Sequence, residues 1–293
     1  MWSVPGINAI VFYGENEMSK RIKIGITEWA LPVDGPYGFK VAAEVGFEGI
    51  QLDVGSYERN FPKTKKVVQD AYLEAAEKFG ITYTAIGCNE LDNFNMVAPK
   101  GYKNRTIALR TIISAIDAAA AMDIPIVMVQ SFLASAIETE QDFNRAVNVI
   151  KYISEYAAGK GDLTIGIENL LSVDGLMRLI GEVDNPNVKI YFDTQNYYLH
   201  ERANVAEMVE PLMPYICQVH VKDGYKFDVE PSGALLGEGA SGFYKTIEEL
   251  RKYEYTGWLI SENFYDRGPI SQLSEDPVEL MKKDFQVLRD IRW

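Results

Sequence analysis

Eight short β-rich runs, separated by segments of helical period, constrain what this chain can fold into more than any other feature of it. The runs are Ile22 to Thr27, Gly46 to Val54, Ile81 to Gly87, Ile124 to Gln130, Leu163 to Asn169, Val188 to Thr194, Ile216 to Lys222 and Gly257 to Glu262. Their starts are spaced by roughly 25 to 43 residues, room for a strand, a helix and two loops. Alternation within the runs is clean: Ile22, Ile24 and Ile26 share one face, and Ile50, Leu52 and Val54 oppose Gln51 and Asp53. Between the runs, apolar residues return at helical spacing, as at Val67, Val68, Ala71, Tyr72, Ala75, Ala76 and Phe79, and again from Phe143 to Ala157. Further helices are expected around Tyr37 to Val45, Lys103 to Met122, Val173 to Val183, Val205 to Met213, Tyr244 to Tyr253 and Pro277 to Ile291. Gly80, Gly159 and Gly161 stand where helices should stop; Thr64 and Asp276-Pro277 stand where they could start.

Strands alternating with helices require a parallel sheet, and closing it into an α/β (β/α)₈ TIM barrel leaves no exposed edge. A doubly wound open sheet is the alternative, weakened because Ile26 to Pro32 stands where a glycine-rich phosphate turn would follow the first strand. Residues 22–293 are the length of one barrel domain, and residues 1–21 read as an N-terminal extension of unknown role, with Met18 a natural alternative start.

With 293 residues and a formal charge of −13, the chain lacks the basic footprint of a nucleic-acid binder, and its acidity disfavours anionic membranes. No apolar run approaches the ~18 residues of a membrane span, and the amino terminus lacks the pattern of a signal peptide. Cys88 and Cys217 are too few for a disulfide framework or a thiolate cage, so the expected compartment is a reducing cytoplasm. A homo-oligomer is left open.

Chemistry has few places to reside. Only His200 and His220 carry imidazoles, and a lone histidine is more often a hydrogen-bonded core residue than a ligand. The company of His220 changes that reading. Glu168, Asp193, His220 and Glu262 each close one of the last four runs, with Ile165 and Ile167, Ile190 and Phe192, Val219, and Leu259 on the opposite parity. In the seventh run, Cys217, Val219 and Val221 are expected to face the helices while Gln218, His220 and Lys222 point inward. Four ionisable groups meeting at one end of a barrel would repel without a cation, and three carboxylates with one imidazole suit a divalent ion such as Mn²⁺, Co²⁺, Mg²⁺ or Zn²⁺.

The motifs around these residues come in a recognisable order: Ile167-Glu168-Asn169, Phe192-Asp193-Thr194-Gln195-Asn196, His220-Val221-Lys222-Asp223, Gly237-Glu238-Gly239 followed by Phe243, and Ile260-Ser261-Glu262-Asn263. The series resembles the xylose-isomerase-like sugar isomerase/epimerase family, and within it D-tagatose 3-epimerases and L-ribulose-5-phosphate 3-epimerases. The resemblance implies that Glu168, Asp193, His220 and Glu262 hold one divalent metal, manganese among the candidates. It also implies that Glu168 and Glu262 act as acid and base on opposite faces of a ketose or ketose phosphate. Such an enzyme removes a proton beside a carbonyl, which requires stabilising the resulting enediolate.

Two departures stand out. Asn196 occupies a position where some epimerases have histidine, and an amide cannot shuttle protons; Lys226 stands where some have arginine, cationic but without the planar fork. Gln130 closes the fourth run and is a candidate for a substrate hydroxyl, Glu238 for substrate or a neighbouring ligand, and Trp29 for stacking on a sugar face. The glycine-rich stretch from Gly224 to Gly242 is expected to order over substrate. A lyase or dehydratase acting on a keto sugar or inosose would use the same metal and proton abstraction. A non-catalytic sugar-binding protein would be expected to lack a ligand, and none is missing.

Overall fold

The computed structural model describes residues 21–200, 204–225 and 233–293. The N-terminal extension therefore lies outside the described residues, save Arg21, and so does Lys226. Eight parallel strands among the described residues close in sequence order into one barrel: β1 (Lys23–Thr27), β2 (Gly49–Asp53), β3 (Thr82–Gly87), β4 (Ile126–Ser131), β5 (Thr164–Asn169), β6 (Val188–Asp193), β7 (Ile216–Val221) and β8 (Trp258–Ser261). Pairing of β1 with both β2 and β8 seals the sheet, which decides against the open alternative.

The helices α1 (Gly38–Val45), α2 (Lys66–Phe79), α3 (Lys103–Met122), α4 (Glu140–Ala158) and α5 (Val173–Val183) follow strands one to five. A four-residue turn α6 (Asn196–Leu199), then α7 (Val205–Leu212), α8 (Phe243–Lys252) and α9 (Pro277–Asp290), complete the ring. Their apolar stripes pack on the outward strand residues, so the main core is the layer between barrel and helices; Ile165, Ile167, Ile190, Phe192, Val219 and Leu259 are all fully buried in it. Each such side chain contributes about 2 kcal/mol. Helix ends follow local chemistry. Asp276 accepts from the Val278 amide to start α9, and Gly80 takes the left-handed conformation that stops α2. Thr64 does not start α2: the flanking residue is Lys65, and the Thr64 hydroxyl donates instead to the Phe61 carbonyl.

Cys217 departs from the expected parity. A bulge shifts the β6–β7 register between Ile190 and Tyr191, so that Ile190 pairs with Ile216 while Tyr191 pairs with Gln218. Cys217, left without a partner, packs with Tyr191, Met128, Ala85 and Ile126 in the second, smaller cluster. Beyond the bulge the pattern resumes, with Asp193 paired to His220.

The described residues of the stretch after β7 are tied down by one side chain. Buried Asp223 accepts from the amides of Gly224, Gly237, Gly239 and Ser241 and from the Ser241 hydroxyl, at 2.7 to 3.2 Å. Glycine is required at 239, because a methyl group there would lie 2.3 Å from the carboxylate that organises the turn. Among the described residues, no helix is long and apolar enough to cross a membrane.

Candidate metal centre

Each of the four candidate ligands is held by its own local structure. Asp193 ends β6 and its Oδ1 accepts from the amides of Gln195 and Asn196 at 2.7 and 2.6 Å, which fixes the carboxylate and turns Oδ2 inward. Glu168, near the end of β5, accepts from the Asn196 side-chain amide at 3.2 Å. Glu262 follows β8, its Oε1 accepting from the Trp29 indole at 3.1 Å. His220, on β7, is fully buried, and the three carboxylates are almost so.

Their free atoms converge. His220 Nδ1 lies 3.3 Å from Glu168 Oε1, 3.2 Å from Glu262 Oε2 and 3.9 Å from Asp193 Oδ2. One ligand atom from each residue lies within 4.8 Å of the other three. Asp193 Oδ2, buried, makes no hydrogen bond of proper geometry.

The layer beneath sets the histidine tautomer. Gln218 donates to the Tyr191 hydroxyl at 2.7 Å, Tyr191 in turn donates to Gln51 Oε1, and the same oxygen lies 2.8 Å from His220 Nε2. Nε2 must therefore carry a proton, which leaves Nδ1 as the nitrogen facing the carboxylates. If Nδ1 is a bare lone pair, every atom of the cluster is an acceptor, and the arrangement demands a positive charge at its centre. A proton can supply it: burial works to lower the His220 pKa, but the Glu262 and Glu168 carboxylates prevail and raise it. A divalent cation answers the demand more fully.

Lys222 completes the charge balance, and the sequence reading had not singled it out as a site residue. Its ammonium lies 3.0 Å from Asp193 Oδ2 and donates to Glu262 Oε2. The Thr194 hydroxyl holds it in place, donating to the Lys222 carbonyl and accepting from its amide at 2.8 and 3.1 Å. Although burial opposes it, Asp193, Glu262 and Glu168 keep the ammonium charged. Three carboxylates less one ammonium leave two negative charges, which one divalent ion neutralises. The two candidate acid–base residues also differ. Burial raises the Glu168 pKa above the ordinary carboxylate range, whereas at Glu262 the cost of burial is overcome by His220, Lys222 and Trp29 and the net direction is down.

The remaining sequence candidates fall in three places. Asn196 touches both Glu168 and Asp193; Gln130 is buried and pairs in register with Glu168. Glu238 is exposed, outside the buried cluster, and its carbonyl accepts from the Tyr225 hydroxyl at 3.0 Å. Trp29 sets its ring edge-on to His220, with centroids 6.1 Å apart. Asp92, which the sequence reading did not identify, sits half-buried after β3; burial lifts its pKa to about 7, with Gln130 acting the other way and Glu168 and Glu262 raising it further.

Comparison with known proteins agrees with this architecture, since residues 39–291 match the xylose isomerase-like TIM barrel family. The chain belongs to that family. Among its relatives is the 2-epi-5-epi-valiolone 7-phosphate 2-epimerase of Actinoplanes sp., 28% identical over 256 residues that cover 87% of this chain and 92% of the relative. The inosose dehydratase of Histophilus somni is 23% identical over 184 residues, 55% of this chain and 59% of the relative. The crystal structure of the IOLI protein with a bound zinc atom superposes with a TM-score of 0.74 at 13% identity, covering 93% of this chain and 99% of that one. A xylose isomerase-like barrel thus carries the cluster, and epimerases and dehydratases both occur among its relatives.

Gln51 is the residue through which this barrel aims its histidine. Gln51→Leu removes the acceptor for Nε2–H and is expected to weaken metal affinity about 10- to 100-fold with an unchanged circular dichroism spectrum. Titration against a chelator of known affinity measures this, and an unaltered constant would mean that the ring needs no such guide.

Proposed function

We propose that this protein is a divalent-metal-dependent epimerase or isomerase of a sugar or sugar phosphate bearing a ketone, acting in the cytoplasm. The observation that carries the reading is the approach of Glu168 and Glu262, from β5 and β8, to the same imidazole nitrogen at 3.3 and 3.2 Å. Two carboxylates reaching one small space from different strands can address opposite faces of a single carbon. Glu168, Asp193, His220 and Glu262 would hold the metal, which when bound would polarise the ketone and offset the charge of the enediolate.

The work of the chain is then proton handling. One glutamate removes the proton beside the ketone, the other returns a proton to the opposite face, and the carbon is inverted with no change in composition. Lys222 neutralises part of the carboxylate charge and orients Glu262; Trp29 fixes the other oxygen of the same carboxylate. Gln130 and Asn196 are proposed to meet substrate hydroxyls, with Lys226 and Glu238 contributing from the stretch after β7. The similarity to an epimerase along nearly the whole chain favours inversion.

The second reading is a lyase, favoured by the dehydratase relative. It would begin with the same proton removal and end with loss of a hydroxyl from the next carbon. Incubating manganese-loaded protein in deuterated water with D-tagatose, D-allulose, their phosphates and inosose separates the two. Epimerisation puts deuterium on the inverted carbon at otherwise constant mass. A product lighter by water, without interconversion of isomers, would instead establish the lyase.

A further inference from the structure

Across the mouth of the barrel from Lys222, at the carboxyl ends of β3 and β4, lies a group of side chains that the proton chemistry does not use. Gly87, the last residue of β3, lets Asn89 Oδ1, the Met128 methyl and the edge of the Trp29 indole close around it, each 3.3 to 3.4 Å from where a methyl group would sit. This indole is the one whose nitrogen donates to Glu262. Gln130 enters the same region from β4, and its Nε2 lies 3.3 Å from Asn89 Oδ1 and 3.5 Å from Asp92 Oδ1.

The amide therefore spends its donor end on two neighbouring oxygens. Its acceptor end is spare: Gln130 is only 2% exposed, yet Oε1 has no hydrogen-bond partner. Register with Glu168 turns Gln130 toward the barrel interior. Asp92 belongs to the same group through its contact with the Gln130 amide. An orphaned acceptor in a buried setting is costly unless a donor arrives, and substrate is the obvious source of one.

We infer that Asn89, Asp92 and Gln130 form a hydroxyl-reading wall, which binds the neutral, hydroxylated end of the substrate remote from the enolised carbon. The inference rests on the epimerase reading for which carbon reacts, and adds what the rest of the molecule must look like. The wall presents acceptor oxygens from three side chains and brings no cation, so it matches hydroxyl protons and does not match a phosphate or carboxylate. An anionic substituent, if the substrate has one, must lie elsewhere. Asp92 is the specificity-determining member wherever it is ionised, at a pH above about 7, because a carboxylate discriminates between a hydroxyl and an anion more strongly than an amide does.

D-Tagatose and D-tagaturonate differ only in oxidation of the terminal carbon, from hydroxyl to carboxylate, and serve as paired probes. Calorimetry on the manganese-loaded full chain at about pH 8, where Asp92 is ionised, is expected to show tighter binding of D-tagatose by about 10-fold or more. Asp92→Asn should weaken D-tagatose about 10-fold and collapse the preference, and Gln130→Leu should weaken D-tagatose with less effect on the preference. Metal content and circular dichroism should stay constant in both variants.

Equal binding of the two probes by wild type, or a preference that survives Asp92→Asn, overturns the wall, as does binding of neither probe. Deuterium exchange on the same samples keeps the two ideas apart. Selective binding without exchange or inversion leaves the wall standing and removes the epimerase, whereas exchange with unselective binding does the reverse.

Discussion

Glu262→Gln is expected to reduce the rate of inversion by about 10²-fold or more, as loss of a general acid or base does. Glutamine keeps an oxygen for the Trp29 indole but loses the anionic Oε2 that faces His220 and Lys222. The variant has a sharper signature than loss of rate. In the proposed mechanism Glu168 would remain on its own face of the carbon, free to take a proton and give one back, so solvent deuterium should still exchange slowly without inversion. Following deuterium content and isomer ratio together on one sample separates the two processes. Inversion at an undiminished rate, with metal content verified, would exclude Glu262 as one of the pair.

His220→Ala is expected to lower metal occupancy sharply while leaving the far-ultraviolet circular dichroism intact. The strand around it is secured by backbone pairing to β6 and β8, which the substitution does not touch. What disappears is the nitrogen on which all three carboxylates converge. Removing it also deprives the carboxylates of the proton that can stand in for a cation, so mutual repulsion is left with Lys222 alone to offset it. Elemental analysis after dialysis against a metal buffer reports the outcome. Full occupancy would show that the carboxylates suffice, and that His220 is a core residue after all.

Side-chain parity made much of the barrel and its polar mouth legible in the chain itself. A strand shows alternate residues to opposite sides, so Ile165 and Ile167 against Glu168, or Ile190 and Phe192 against Asp193, declare which side meets the helices. Helix limits such as Lys103–Met122 and Val173–Val183 were legible because apolar period and flanking residues are local properties. Where parity failed, at Cys217, the cause was a bulge set by two strands together, which no single run can reveal. The convergence of Glu168, Asp193, His220 and Glu262 was readable only as a shared level at the strand ends.

Tertiary structure alone decided the rest, because those contacts join residues far apart in the chain. Gln51 reaches His220 across 169 positions and Trp29 reaches Glu262 across 233. Lys222 shared the polar parity of His220, but only the closed barrel sets its ammonium between Asp193 and Glu262, giving the cluster a residual charge matched to a divalent ion. Asn89 and Asp92 bound a single 3-10 turn after β3, too short to show a period, and they acquire meaning only where Gly87 and Gln130 bring them to the mouth of the site. Sequence determines which side chains a strand can present; closure of the barrel determines which of them meet.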